Sequence, residues 1–115
     1  MIHATLWQDR EGYLIGFEIT GHAGYAPHGR DIVCAAVSAL AQATVLGLEE
    51  FLSRKPAVEM CKGKLCCQLA QDLSLQERER AQAILGTLKL GLQAIKESYS
   101  SYIKIEIRRW SKCGE

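Results

Sequence analysis

A histidine and a cysteine stand at the two ends of one glycine-rich stretch, Gly21-His22-Ala23 through Gly29-Arg30-Asp31-Ile32-Val33-Cys34-Ala35-Ala36-Val37-Ser38. Those residue types can run thiolate chemistry. An imidazole titrates near neutrality, so it can take a thiol proton and later return it to a leaving amine. Asp31 stands just before a long apolar pattern and is a natural helix N-cap. Cys34 then falls in the first turn of that helix. Backbone N–H groups there lack partners, and the helix dipole is positive. Such a setting favours thiolate over thiol. The dipole alone contributes about 0.3–1 kcal/mol at an exposed site, so a base at His22 is wanted as well. The backbone N–H of Cys34 is expected to help hold an oxyanion.

Each of these residues also has an ordinary reading. A cysteine near a helix start is commonly a small buried side chain, and a histidine after a strand is commonly a turn residue. Asp31 either only caps the helix or also orients His22 or a substrate amide. Ser38 lies one turn after Cys34 on the same helical face and either hydrogen-bonds in the site or packs against a neighbour. His28 is a second base or substrate contact, or else a solvated loop histidine. His3 alternates onto a strand face and is structural or exposed. Lys62, Lys64, Arg108 and Arg109 could touch RNA or an acidic surface, or be solvated strand ends.

The chain has five cysteines: Cys34, Cys61, Cys66, Cys67 and Cys113. An odd number in a reducing compartment argues against a disulfide framework. Cys66 and Cys67 are adjacent rather than Cys-x-x-Cys, which disfavours thioredoxin-like chemistry. With Gly63-Lys64 as a hairpin turn, Cys61 would face Cys66 across the strands. A zinc or redox role for Cys61, Cys66 and Cys67 then stands against their reading as half-buried strand cysteines.

The elements that must position His22 and Cys34 can be read from periodicity. Ile2 to Trp7 alternates with a period of two, as does Tyr13 to Thr20, where Tyr13, Ile15, Phe17 and Ile19 share a face. Gln8 to Gly12 between them reads as a hairpin loop. Gly21 to Arg30 reads as a loop. Val33, Val37, Leu40, Ala41, Thr44, Leu48 and Phe51 have the spacing of an amphipathic helix. That helix is expected to fade near Ser53, ahead of Pro56. Ala57 to Ala70 reads as a second hairpin turning at Gly63. Ser74-x-x-Glu77 is a capping-box pattern ahead of a helix with Ala81, Ile84, Leu85, Leu88, Leu92 and Ile95 on one face. Gly86 and Gly91 weaken that helix and invite close approach of another element. Ile103, Ile105 and Ile107 mark a last strand, and a short tail follows Trp110. The order β-β-α-β-β-α-β predicts an α/β two-layer domain, with two helices packed on a mixed or antiparallel sheet.

A chain of 115 residues, 48% hydrophobic, is expected to form a single domain over 1–115 with one real core. So small a domain would gain from an oligomer interface. A net charge of +1 argues against a strongly basic nucleic-acid binder. No run reads as a membrane span, and the N-terminus has no secretory pattern, so a cytoplasmic location without membrane contact is expected.

The blocks Gly21-His22-Ala23 and Gly29-x-Asp31-Ile32-Val33-Cys34-Ala35-Ala36-Val37-Ser38-Ala39-Leu40 resemble the Prp family, the bacterial ribosomal-processing cysteine proteases. Element order and chain length agree as well, so the resemblance covers essentially the whole chain. It implies His22 as base and Cys34 as nucleophile, with Gly21, Gly29, Asp31 and Ser38 supporting the site or binding substrate. It implies no cofactor and no metal. The family's substrate is the N-terminal extension of large-subunit ribosomal protein twenty-seven, removed at a short motif rich in aromatic residues. It further implies a homodimer, no direct nucleic-acid binding, and a loop, here Gly24-Tyr25-Ala26-Pro27-His28-Gly29-Arg30, that covers the bound peptide. Tyr25, Pro27 and His28 bear on that loop's mobility and specificity. Two other readings compete: a non-catalytic ribosome-associated module docking a peptide or RNA, and a thiol redox or metal protein built on Cys61, Cys66 and Cys67.

Overall fold

Apolar residues at every second position, Ile2, Ala4 and Leu6, turn one face of the first strand inward, and each is almost wholly buried. In the computed structural model, which describes residues 1–27 and 29–110, this strand is β1 (Ile2–Gln8). It is followed by β2 (Leu14–Thr20), α1 (Ile32–Phe51), β3 (Ala57–Cys61), β4 (Lys64–Gln68), α2 (Leu75–Ser98) and β5 (Ile103–Arg109). The expected element order holds, and the sheet is mixed. Its strand order is β3-β4-β2-β1-β5, with β5 parallel to β1 and the other pairs antiparallel. A parallel partner needs a long crossover, and α2 supplies it. His28, Cys113 and the tail after Trp110 lie outside the described residues.

Cross-strand register assembles the core in rows. Leu6 faces Phe17, which faces Cys67; Ala4 faces Ile19, which faces Leu65. Both helices cover this face, α1 with Val33, Val37, Ala41, Thr44 and Leu48, α2 with Ala81, Leu85, Leu88 and Leu92. The other face carries His3, Thr5, Glu18 and Thr20, the polar alternation of a sheet covered on one side.

Several expectations need correction. The register slips between Trp7 and Gln8: Trp7 faces Gly16, yet Gln8 faces Leu14. Ile15 is therefore an extra residue in a β-bulge. Beyond the bulge the faces exchange, so Leu14 is buried instead of Tyr13 and Ile15, and the Tyr13 ring lies under the Arg78 guanidinium, 4.2 Å away. The second hairpin turns at Lys62-Gly63, so Cys61 faces Lys64, and Cys66 faces Glu59 rather than Cys61. Phe51 ends α1 with its side chain 59% exposed. Ser74 does cap α2, accepting from Glu77 N–H, but the Glu77 carboxylate goes to Ser53 N–H and Oγ instead of closing the box. Of the two α2 glycines, only Gly91 admits a neighbour: a Cβ there would lie 2.9 Å from Leu40 Cδ1, whereas Gly86 has nothing within 4 Å. The reading that no run could span a membrane also fails on length and composition. Helix α1 has 20 residues, and an 18-residue window within it has a mean hydropathy of 1.7. Its buried stripe packs on the sheet, and the alanines of its outer face raise the hydropathy further.

The glycines give a direct test of this packing. A Cβ at Gly16 would sit 2.6 Å from the Cys67 carbonyl oxygen across the β2–β4 pair. Gly16→Ala is expected to lose about 1–3 kcal/mol in urea unfolding. Gly86→Ala, in open space on a helix, is expected to gain about 0.5–1 kcal/mol. Equal effects from the two substitutions would contradict the register.

Candidate active site

Strand β2 ends at Thr20, and its last contact clamps it to the second hairpin: Gly21 N–H donates to the Gly63 carbonyl at 3.0 Å. Gly21 has φ +85°, and a Cβ there would lie 2.5 Å from the Met1 carbonyl oxygen. Only glycine suits both demands. This clamp sets His22 beside the hairpin turn, with Nε2 3.7 Å from the place a Cβ would take at Gly63. The chain then turns inward. Ala23 is buried, and its N–H donates to Cys34 Sγ at 3.2 Å. An N–H aimed at sulfur is complementary to a thiolate.

Asp31 is the N-cap of α1, as its position implied. Oδ1 accepts from Cys34 N–H at 2.9 Å, and Oδ2 accepts from Tyr25 N–H at 3.0 Å. These bonds, that from Cys34 foremost, hold the Asp31 carboxyl below its ordinary 3.8. Asp31 thus caps the helix and ties the loop, and its carboxylate also meets the Cys34 side chain. The oxyanion role expected of Cys34 N–H is corrected by the same bond, because that donor is already given to Asp31.

His22 and Cys34 line one cleft of about 230 Å³ between α1 and the β3–β4 hairpin. Its floor is apolar, from Ile19, Val37, Ala41 and Leu65, and Met60 of β3 stands over it 63% exposed. Apolar walls with a few polar groups suit a peptide side chain next to a reacting carbonyl. Ser38 lies on the rim, its Oγ accepting from Gln42 Nε2 at 2.9 Å. Gly29 is not part of the lining; its φ of +89° turns the loop just ahead of the cap. The imidazole and the thiol share the cleft without a hydrogen bond between them: Sγ meets Ala23 N–H and the Asp31 carboxylate, and the ring lies by Gly63. Catalytic contacts are often long before substrate binds.

Sequence reasoning missed the hairpin wall, because Met60, Cys61 and Gly63 reach the cleft only through the β2–β4 pairing. It also missed the Tyr25 contacts described below. Of the other thiols, Cys67 is fully buried and burial pushes it up to about 12, with Cys66 and Glu49 adding to the effect. It is chemically quiet at neutral pH. Among the described residues no group of three or more His, Cys, Asp or Glu is placed to hold a metal ion.

The chain's residues 1–104 match the family model described as cysteine protease Prp. A ribosomal processing cysteine protease Prp from Bacillus subtilis is 27% identical over 107 residues, covering 91% of this chain and 96% of the relative. Two crystal structures of an essential ribosomal processing protease Prp from S. aureus are similar throughout. One, in complex with a covalently linked product peptide, superposes with a TM-score of 0.82 at 28% identity, covering 93% of this chain and 99% of that one. The other, in complex with a substrate peptide, gives 0.77 at 27% identity, with coverage of 93% and 99%.

The lowered Asp31 pKa has a signed consequence. A carboxyl depressed in the folded state adds stability above its unfolded value, and that contribution is lost as pH falls through the folded value. The difference in unfolding free energy between the parent and Asp31→Ala should therefore be full near neutrality and shrink as pH drops from the ordinary 3.8 downward. Urea titrations of both proteins at neutral and acid pH check this. A gap that widened in acid would contradict the assignment.

Proposed function

The chain belongs to the Prp family of cysteine proteases, and we propose that Cys34 is its nucleophile and His22 its general base. The thiolate of Cys34 attacks the scissile carbonyl carbon. The tetrahedral intermediate collapses as His22, now protonated, gives its proton to the leaving amine, and a thioester on Cys34 remains. His22 then takes a proton from water, whose oxygen attacks the thioester and frees the acid and the thiol. The observation that carries this reading is the placement of Cys34: first turn of α1, Ala23 N–H on its sulfur, and His22 in the same cleft. Peptide binding is the event that brings the exposed imidazole from the Gly63 turn onto the thiol.

The family is one of ribosomal processing proteases. The substrate proposed for this chain is the N-terminal extension of large-subunit ribosomal protein twenty-seven, cut at a motif rich in aromatic residues. Support comes from the apolar cleft floor beside Cys34 and from the peptide complexes of the S. aureus relative. A cytoplasmic site of action follows from a ribosomal substrate. A homodimer is proposed as well. Leu46 and Leu90 stand 65% and 66% exposed on the helical layer, and a second copy is the occupant that would cover them.

Mass spectrometry of the ribosomal precursor incubated with the protein tests activity and locates the cut together. The parent should release the extension, and Cys34→Ala should release none. His22→Ala should slow release about 10²- to 10⁴-fold. Cleavage by Cys34→Ala at the parent rate would overturn the mechanism.

A further inference from the structure

We propose that Tyr25 is a positioning residue, whose ring anchors the segment between His22 and Cys34 to the corner joining α2 and β5. The proposal rests on the reading of Cys34 and His22 given above. The segment's described residues ahead of α1 have no helix or strand of their own, and fixing them costs backbone entropy. The segment's first half is held by Ala23, buried with its N–H on Cys34 Sγ, and by the backbone of Tyr25 and Ala26 on the Asp31 carboxylate. The Tyr25 ring adds two further contacts, edge-on to Tyr99 at 5.5 Å and 90° and to Tyr102 at 5.2 Å and 75°. Both are within the range where aromatic pairs attract through their quadrupoles.

The anchor point is itself tied by backbone hydrogen bonds. Tyr99 closes α2, its N–H donating to the Ile95 carbonyl at 2.8 Å, and Tyr102 N–H donates to the Tyr99 carbonyl at 2.9 Å. The Tyr102 carbonyl accepts from Ile2 N–H at 2.9 Å, which locks the corner to the start of β1. Tyr99 and Tyr102 pack against the core, whereas Tyr25 is 41% exposed. The Tyr25 ring therefore joins the loop to the corner. Ala23 and Tyr25 are separated only by Gly24, at φ +70°, so the ring's seat sets where Ala23 N–H points. Losing the ring contacts lowers the fraction of molecules in which that N–H reaches Cys34 Sγ. The consequence belongs to kcat and to thiol reactivity, because that N–H acts on Cys34.

The test compares Tyr25→Ala, Tyr25→Phe, Tyr102→Ala and the double alanine variant in peptide cleavage. It also follows alkylation of Cys34 by iodoacetamide, read by mass spectrometry of the Cys34 peptide. Tyr25→Ala and Tyr102→Ala should each lower kcat and the Cys34 alkylation rate together, by about five- to fifty-fold, with KM changed by less than about twofold. Tyr25→Phe should restore both rates, since the ring makes the contacts. The double variant should be no slower than Tyr25→Ala. Tyr99→Ala serves the same arm if Tyr102→Ala does not fold. A raised KM at unchanged kcat in Tyr25→Ala, with Tyr102→Ala silent, would overturn the proposal and make Tyr25 a peptide contact. So would losses that vanish once corrected for the unfolded fraction. The Cys34→Ala control separates this from the parent reading: its cleavage of peptide would remove Cys34, whatever the tyrosine variants do.

Discussion

The carboxylate of Asp31 accepts from Cys34 N–H with one oxygen and from Tyr25 N–H with the other, and the site depends on that pair of bonds. One bond starts α1 and so fixes the direction in which Cys34 leaves the helix. The other returns the loop to the helix end. Neither would suffice alone: a capped helix would present Cys34 to an unanchored loop, and a tied loop would have no fixed sulfur to meet. An aspartate serves because it has two acceptors and charge that suits a helix N-terminus. The same arrangement commits Cys34 N–H to Asp31.

Around this bond the fold supplies a wall and a clamp. The β2–β4 pairing brings the β3–β4 hairpin beside the end of β2, and Gly63 carbonyl takes Gly21 N–H there. His22 enters the cleft because the strand before it is held on both sides, by β1 and by β4. The apolar floor belongs to the same core rows that stabilise the sheet: Ile19 and Leu65 face one another across β2 and β4 and also line the cleft. A substitution at those positions therefore alters the core and the cleft together.

Local chemistry was legible in the sequence wherever neighbours in the chain decide it. Asp31 as a cap, Cys34 in the first turn and Ser74 as the second cap all follow from residue type and helical spacing, and the structure places them so. What depends on partners distant in sequence was not legible. The Ile15 bulge reversed the face of Tyr13 and Leu14, because alternation carries no signal for one extra residue. The two-residue turn at Lys62-Gly63 moved Cys61 opposite Lys64, since a shift of one position at the turn reassigns every pair. The meeting of Tyr25 with Tyr99 and Tyr102 joins residues most of the chain apart. The family resemblance pointed to His22 and Cys34, but only the fold shows the imidazole resting at the Gly63 turn while Ala23 N–H holds the sulfur.

We propose that the helix start and the loop together make Cys34, and no other thiol, the group that attacks the peptide. A chloromethyl ketone built on the residues preceding the cut in the ribosomal precursor tests it in one measurement, with the adduct mapped by peptide mass spectrometry. The account predicts one adduct, a thioether at Cys34, formed in step with loss of activity and blocked by competing peptide. Inactivation with the label on Cys61 or Cys66, and Cys34 left free, would contradict it.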